Sequence, residues 1–283
     1  MPPSESQPPR VLSIAGSDSG GGAGIQADLK AFAAAGVHGM TAITAITAQN
    51  TVAVDEVLAI PPATILAQVR AVVEDIGVDA VKIGMLGNEE TIAAVERALE
   101  LTAPAPVVLD PVMVAESGAP LLEQGARRAL AERLVPRATV VTPNLPEARQ
   151  LAGVAGGGDA ADWDAEALAQ AVHALGPRAV VVTGGHGPDA EDIFFDGQRL
   201  VRIPGQRHLD GAAHGSGCTH SSTLAARLAF GDDPLEAARA AKLTASEAVR
   251  RGLRTIGRGA GPVDVFGLGD RSGTPPSASG RLT

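Results

Sequence analysis

Val11-Leu12-Ser13-Ile14-Ala15, followed by Gly16-Ser17-Asp18-Ser19-Gly20-Gly21-Gly22-Ala23-Gly24 and then Ile25 to Ala35, is the stretch that decides the fold. An apolar run closed by a glycine reads as a buried strand. Gly16 to Gly24 reads as a loop, and the residues after it as a helix stopped by Gly36. Strand, glycine loop and helix open an α/β fold, in which ligands bind beyond the carboxyl ends of the strands.

Gly22-Ala23-Gly24-Ile25-Gln26-Ala27 matches the dinucleotide pattern G-x-G-x-x-A, but its context does not. The glycines come late in the loop rather than directly off the strand. The carboxylate needed about 20 residues on is also missing: Ala42 to Asn50 ends in amides. No Gly-Lys-Ser/Thr follows, so the loop is not a P-loop either. Asp28, placed by this reading in the first helical turn, either complements the helix dipole or holds a polar ligand.

The alternation continues outward. Extended or strand-like runs are Val52 to Ile60, Asp79 to Met85, Val107 to Met113, the stretch Ala138 to Glu147 and the stretch Ala179 to His186. Helical runs begin at Pro61-Pro62 and span Glu89–Leu101, Glu123–Leu134, Trp163–Leu175 and Leu235 to about Gly252. Ile193-Phe194-Phe195 and Leu200 to Ile203 flank Asp196-Gly197, a hairpin signal. Apolar strands interleaved with helices imply a mostly parallel sheet covered on both faces, with the hairpin as an addition. The expected organisation is a single α/β domain over residues 10–267 between disordered tails at 1–9 and 268–283.

Near the end of this domain, Ala213-His214-Gly215-Ser216-Gly217-Cys218-Thr219-His220 runs into an apolar helix. Two glycines let successive N–H groups converge, and a helix beginning near Cys218 adds its own unpaired N–H groups and positive dipole end. The pair makes a pocket for an anion of the phosphate type. The alternative is a turn before a core helix with a buried thiol.

Composition narrows the partners. A net charge of −9 with only 2% aromatic residues argues against nucleic acid and anionic membrane as partners. One cysteine precludes an internal disulfide. No signal pattern or membrane-length apolar run is present, and the expected location is the cytoplasm.

A parallel sheet gathers its strand ends on one rim, which here would carry Asp18, Gln49, Met85, Asp110, Asn144, Glu147, Thr183 and Gly215 to Cys218. Asp110 and Glu147 offer oxygen ligands for a hard cation such as Mg²⁺. Taken singly, Asp110-Pro111 is also a turn and Pro146-Glu147 a helix start.

Ala15 to Lys30, Thr44 to Thr51, Lys82 to Leu86, Leu109 to Met113, Thr142 to Ala148 and His214 to Thr219 resemble, in order, the hydroxymethylpyrimidine/phosphomethylpyrimidine kinases of the ribokinase-like superfamily. The resemblance spans about residues 11–267. It implies ATP-dependent phosphorylation of 4-amino-5-hydroxymethyl-2-methylpyrimidine and then of its monophosphate, in thiamine biosynthesis. It assigns Asp28 and Gln49 to the aminopyrimidine, with Gly16, Met85 and Val112 around it. Gly215, Ser216, Gly217 and Cys218 match the anion hole. Asp110, Asn144 and Glu147 match the Mg²⁺–phosphate region, with Asn144, Thr183 and Gly185 toward the nucleotide. The expected assembly is a homodimer. Glu116 stands where the family commonly has lysine, Ala212-Ala213 where Asn-Thr is usual, and Thr183 where lysine is frequent.

A helix N-terminus lowers a thiol's pKa, so Cys218 as a thiolate would serve as general base; as a small neutral side chain it would only let the hole close. Alternative functions are a pyridoxal/pyridoxine kinase on the same fold and a non-catalytic pyrimidine- or pyridoxal-phosphate-binding protein.

Overall fold

The computed structural model describes residues 7–154, 160, 162–184, 190–209 and 211–270, so the expected tails lie largely outside the described residues. The elements are, in chain order, β1 (Arg10–Asp18), α1 (Gly24–Ala35), β2 (His38–Gln49), β3 (Val54–Ala59), α2 (Pro62–Asp75), β4 (Ala80–Ile83), α3 (Glu89–Thr102), β5 (Val107–Leu109), α4 (Ala126–Ala129), β6 (Val140–Val141), α5 (Leu145–Val154), α6 (Ala165–His173), β7 (Ala179–Val182), β8 (Asp192–Phe195), β9 (Leu200–Ile203), α7 (Ser216–Ala229) and α8 (Pro234–Arg250).

Among the described residues the strands form one sheet of order β3-β2-β1-β4-β5-β6-β7-β8-β9. The six strands from β2 to β7 are parallel, and β3, β8 and β9 pair antiparallel at the two edges. The hairpin expected around Asp196-Gly197 forms, with Asp196 Oδ1 accepting the N–H groups of Gln198 and Arg199. It extends the sheet through β8 rather than standing apart from it.

Strand side chains alternate between two cores. Leu12, Ile14, Val81, Ile83, Leu109, Val180 and Val182 face the helices α2 to α6. Val11, Ala80, Val108, Val140, Ala179 and Val181 face α1, α7 and α8. A strand buried on both faces carries this near-continuous apolar run. Ser13 and Lys82 interrupt it on the α1–α7 side, close to the carboxyl ends of β1 and β4.

Some boundaries move for tertiary reasons. β1 continues to Asp18 across a bulge, because Ser17 and Asp18 pair with Ile46 and Thr47 of β2. β5 stops at Leu109, which puts Asp110 at the strand's carboxyl end. The helix expected over 123–134 is the short α4 followed by a π-helical turn, Leu130–Leu134.

β1 leads to β2 on one side, while the next parallel strand, β4, lies on the other. The crevice beyond β1 and β4 is therefore the topological switch point, where open α/β sheets bind ligands.

Candidate active site

A cleft of about 400 Å³ opens at this switch point. Its lining includes Gly16, Asp18, Gln49, Met85, Asp110, Val112, Asn144, Glu147, Thr183, Gly215, Ser216, Gly217 and Cys218, so the whole rim expected from the strand ends converges on one space. Gly185 lies outside the described residues. Asp28 does not belong to the cleft.

The exclusion of Asp28 corrects its assignment to the aminopyrimidine. Asp28 falls in the second turn of α1, on the face that packs into the protein, and is fully buried. Its carboxylate accepts Ser13 Oγ–H at 2.6 Å and Ser222 Oγ–H at 2.7 Å, and pairs with the Lys82 ammonium at 2.9 and 3.1 Å. A carboxylate so occupied has nothing left for a ligand.

The first loop is organised by Asp18. Its carboxylate accepts the N–H groups of Gly20, Gly22 and Ala23 at 2.8, 3.0 and 2.8 Å. Gln26 Oε1 accepts Asp18 N–H and its amide nitrogen donates to Ser17 Oγ, which ties the loop to α1. Ser19 Oγ–H donates to the carbonyl of Gln49, and Thr47 Oγ–H to Gln49 Oε1 at 3.1 Å. Thr44 Oγ–H holds the Met85 carbonyl at 2.7 Å.

The second loop lies on the first. Gly215 caps α7 with φ near +85°, and a Cβ there would sit 1.8 Å from the carbonyl oxygen of Gly22. No residue but glycine fits both the dihedral and the contact. Ser216 N–H turns back to Ala213 O, and Thr219 N–H starts the helix by bonding Gly215 O. Gly217 and Cys218 keep their amides without a partner among the described residues, as helix starts do. These two N–H groups and the helix dipole are chemically suited to hold an anion. His214 is anchored on both sides, its N–H on Gly261 O and its carbonyl taking Val263 N–H.

The carboxylates line the same cleft. Asp110 Oδ2 accepts Ser221 Oγ–H at 2.9 Å. Asn144 and Glu147 form a reciprocal cap on α5: Asn144 N–H donates to Glu147 Oε2 at 3.0 Å, and Glu147 N–H to Asn144 Oδ1 at 2.9 Å. The helix-start role and the rim role thus coexist in Glu147. Burial, and then the neighbouring charge of Asp110, push the Glu147 carboxyl up to about 8. Burial also raises Asp110, although the Lys82 ammonium pulls the other way. Two buried carboxylates that disfavour each other's ionisation are a donor set suited to a hard divalent cation. Among the described residues no cluster of three or more metal-ligating side chains occurs.

Burial pushes the Cys218 thiol up to about 12, outweighing the Lys82 ammonium and the backbone N–H of Gly24. In this form it is a neutral thiol, not the thiolate the helix N-terminus alone would favour.

Lys82, His214, His220, Asp192 and Lys242 also line the cleft and were not among the expected site residues. Asp192 gathers three of the surrounding groups. Its Oδ1 accepts Gly184 N–H at 3.0 Å and Lys242 Nζ at 2.6 Å, while His220 Nε2 lies 3.2 Å from Oδ2. Lys82 did leave a signal in the sequence: a charged residue inside an otherwise apolar strand requires a buried partner.

A switch-point cleft that joins the free amides of a helix start, two carboxylates and Gln49 fits a ribokinase-like small-molecule phosphotransferase. The chain belongs to the phosphomethylpyrimidine kinase family, whose model matches residues 18–264. It is 51% identical over 259 residues to the hydroxymethylpyrimidine/phosphomethylpyrimidine kinase of Rhizobium meliloti, covering 90% of this chain and 96% of that one. The structure resembles phosphomethylpyrimidine kinase from Clostridium difficile 630, with 38% identity, a TM-score of 0.72 and coverage of 85% of this chain and 99% of that chain. It also resembles Staphylococcus aureus pyridoxal kinase in complex with AMP-PCP and pyridoxal, with 34% identity, a TM-score of 0.81 and coverage of 93% and 96%.

Proposed function

We propose that this cleft transfers the γ-phosphoryl group of ATP to the hydroxymethyl oxygen of 4-amino-5-hydroxymethyl-2-methylpyrimidine, and in a second turnover to the phosphate of the monophosphate, giving the diphosphate for thiamine biosynthesis. The observation that carries this reading is the placing of the Gly217 and Cys218 amides, Asp110 and Glu147, and Gln49 around one space.

Phosphoryl transfer is chiefly positioning and charge neutralisation. Gly16, Gln49, Met85 and Val112 hold the pyrimidine ring so that its hydroxymethyl group points to the anion hole. The hole takes the charge that gathers on the transferring phosphoryl oxygens. Asn144 and Thr183 face the nucleotide, and Gly185 belongs to the same side in this reading. Asp110 and Glu147 would hold Mg²⁺, which supplies charge neutralisation at the phosphates; the mutual repulsion of these carboxylates is what the ion would relieve. Cys218, neutral here, acts as a small wall of the hole beside the reacting oxygen.

The likeness to a pyridoxal kinase at a TM-score of 0.81 supports a second substrate, since a pyridine alcohol differs from the pyrimidine alcohol mainly in its ring edge. ADP release measured with the pyrimidine alcohol, its monophosphate and pyridoxal in separate reactions tests both readings. Turnover of the first two well above pyridoxal is expected. ADP with pyridoxal alone would replace the pyrimidine reading by the second one, and no ADP with any of the three would remove the kinase reading.

Ile46, Val57 and Leu58 on the β2–β3 edge are 47, 47 and 58% exposed, which supports the homodimer as the assembly. Light scattering would give twice the chain mass.

Among the described residues no helix is long and apolar enough to cross a membrane.

A further inference from the structure

Lys82 and Asp28 form an ion pair that water does not reach: both side chains are wholly buried. Only one end of the pair meets the cleft. Lys82 lies directly beneath the cleft surface, whereas Asp28 does not border the cleft, and the Asp28 carboxylate is held from behind by Ser13 of β1 and Ser222 of α7. The ammonium sits under the turn that leaves β4, for a Cβ on Gly84 would lie 2.8 Å from Nζ and 3.0 Å from the Ala15 side chain. The pair is therefore an oriented dipole with its positive end at the switch point. Ser222 lies one helical turn beyond Cys218 on α7, and Ser221, its neighbour, carries Asp110. One short segment of α7 thus ties the ion pair, the carboxylate and the anion hole together.

We propose that Lys82 is a positioning residue for phosphoryl transfer, its ammonium locked by Asp28 so that the cleft floor stays at positive potential beneath Asp110 and the anion hole. The inference rests on the kinase reading for its consequence, but not for its physical basis. A lone buried lysine sheds its proton or draws in water. Asp28 prevents both, and Ser13 and Ser222 satisfy the far side of Asp28, so the charge persists in a dry floor where it acts over short range with little screening. The charged or titratable groups facing Lys82 are Asp28 from α1, Asp110 from beyond β5 and Cys218 from α7. His220 of α7 faces Asp110 in the same cluster. Burial alone would lower the Lys82 ammonium, and the Asp28 carboxylate first, with the field of Asp110, holds it above its ordinary value instead.

The chain's single cysteine reports this potential without any substrate. Alkylation of Cys218 by iodoacetamide at pH 9 follows its thiolate fraction, and the partly compensating rise in nucleophilicity leaves about a threefold slowing per unit of upward pKa shift. The test compares full-length wild type, the charge-neutral double variant Lys82→Met with Asp28→Asn, and Ser222→Ala, which disturbs the same network without changing charge. The double variant should be alkylated at least about threefold more slowly, with kcat for the pyrimidine alcohol reduced at least about tenfold and KM held within about threefold. Ser222→Ala should melt at a lower temperature and keep the wild-type alkylation rate. If the Met/Asn pair does not fold, Lys82→Gln with Asp28→Asn carries the same expectations.

An unchanged alkylation rate in the neutral pair overturns the proposal. So does an equal slowing in Ser222→Ala, which would make packing rather than charge the cause, and so does a slowed alkylation with wild-type kcat. Wild-type protein that releases no ADP with either pyrimidine would remove the pyrimidine reading instead, and with it the kinetic consequence claimed for Lys82.

Discussion

Asp18 and His214 are separated by 196 positions in the chain and meet at 3.1 Å, Oδ2 to Nε2. The contact joins the loop after β1, which lines the cleft near Gln49, to the loop that opens α7, where the anion hole is proposed. It leaves no slack, because a Cβ on Gly22 would lie 2.1 Å from the His214 ring. Pocket and phosphate site are therefore fixed relative to one another before any ligand arrives.

Asp18→Asn keeps the size of this side chain, removes its charge and turns an NH2 towards N–H groups that now meet a carboxylate oxygen. Burial by itself would raise the Asp18 carboxyl, but the hydrogen bonds from His214 and from the Ala23 and Gly20 amides outweigh it and hold the group below the ordinary range. A depressed carboxyl contributes stability that is present above its unfolded pKa, about 3.9, and is lost as pH falls through the folded value. Denaturant unfolding should show the variant less stable by about 1–2 kcal/mol at pH 7. Its stability should also fall less steeply than wild type below pH 4. Parallel pH profiles would contradict this account.

Glu147→Gln has the opposite sign. With its carboxyl pushed up to about 8, Glu147 binds a proton in the folded protein that it has lost in the unfolded chain between about pH 4.5 and 8. Its contribution to stability is present below about pH 4.5 and falls as pH rises to about 8. In EDTA at pH 8 the Gln variant should be more stable than wild type by about 1–2 kcal/mol. Added Mg²⁺ should raise the wild-type Tm and move the variant much less, because a cation displaces the proton and needs the carboxylate. A variant with lower metal-free stability at pH 8 would show that the N–H bonds from Met113 and Asn144 to this carboxylate outweigh its repulsion with Asp110.

Gly215 and Gly217 separate folding from binding. Gly215→Ala collides with the Gly22 carbonyl at a left-handed φ and should cost about 2–4 kcal/mol in thermal unfolding. Gly217 has open space around the position of a Cβ and no unusual φ. Gly217→Ala should fold with near wild-type Tm, since alanine favours the helix. The methyl group would then occupy the anion hole, and kcat/KM should fall at least about 100-fold. Retained activity in Gly217→Ala would move the phosphate site elsewhere.

Cys218→Ser decides what the thiol does. A thiol pushed up to about 12 is a poor proton acceptor at neutral pH, so the loss should be similar in the two phosphorylations, about tenfold or less in each. A loss confined to the alcohol step, where a proton must leave the nucleophile, would restore the base role. The monophosphate needs no such help because it is already ionised.

Much of the site was readable because strand ends announce themselves. Asp110 follows Val107-Val108-Leu109, and Asn144 follows Val140 and Val141 by three positions, so each polar residue marks where an apolar strand leaves the core. Gly215 and Gly217 before a small-residue helix marked the hole. Asp28 misled, because a carboxylate early in an amphipathic helix looks the same in sequence whether the face it occupies meets a ligand or a lysine. His214, Asp192, His220 and Lys242 gave no local signal; their side-chain partners lie 28 to 196 positions away.

The sequence by itself determined the α/β class, the parallel sheet and the rim, since hydrophobic period, glycine position and strand-end polarity are local properties of the chain. Only the tertiary structure decided which charges are spent on one another. Asp28 is closed off by Lys82, Ser13 and Ser222, Asp18 by His214 and three amides, while Asp110 and Glu147 are left crowded together at the cleft. Those outcomes depend on which helix face turns inward and how deeply a group is desolvated, and neither quantity exists until distant segments pack.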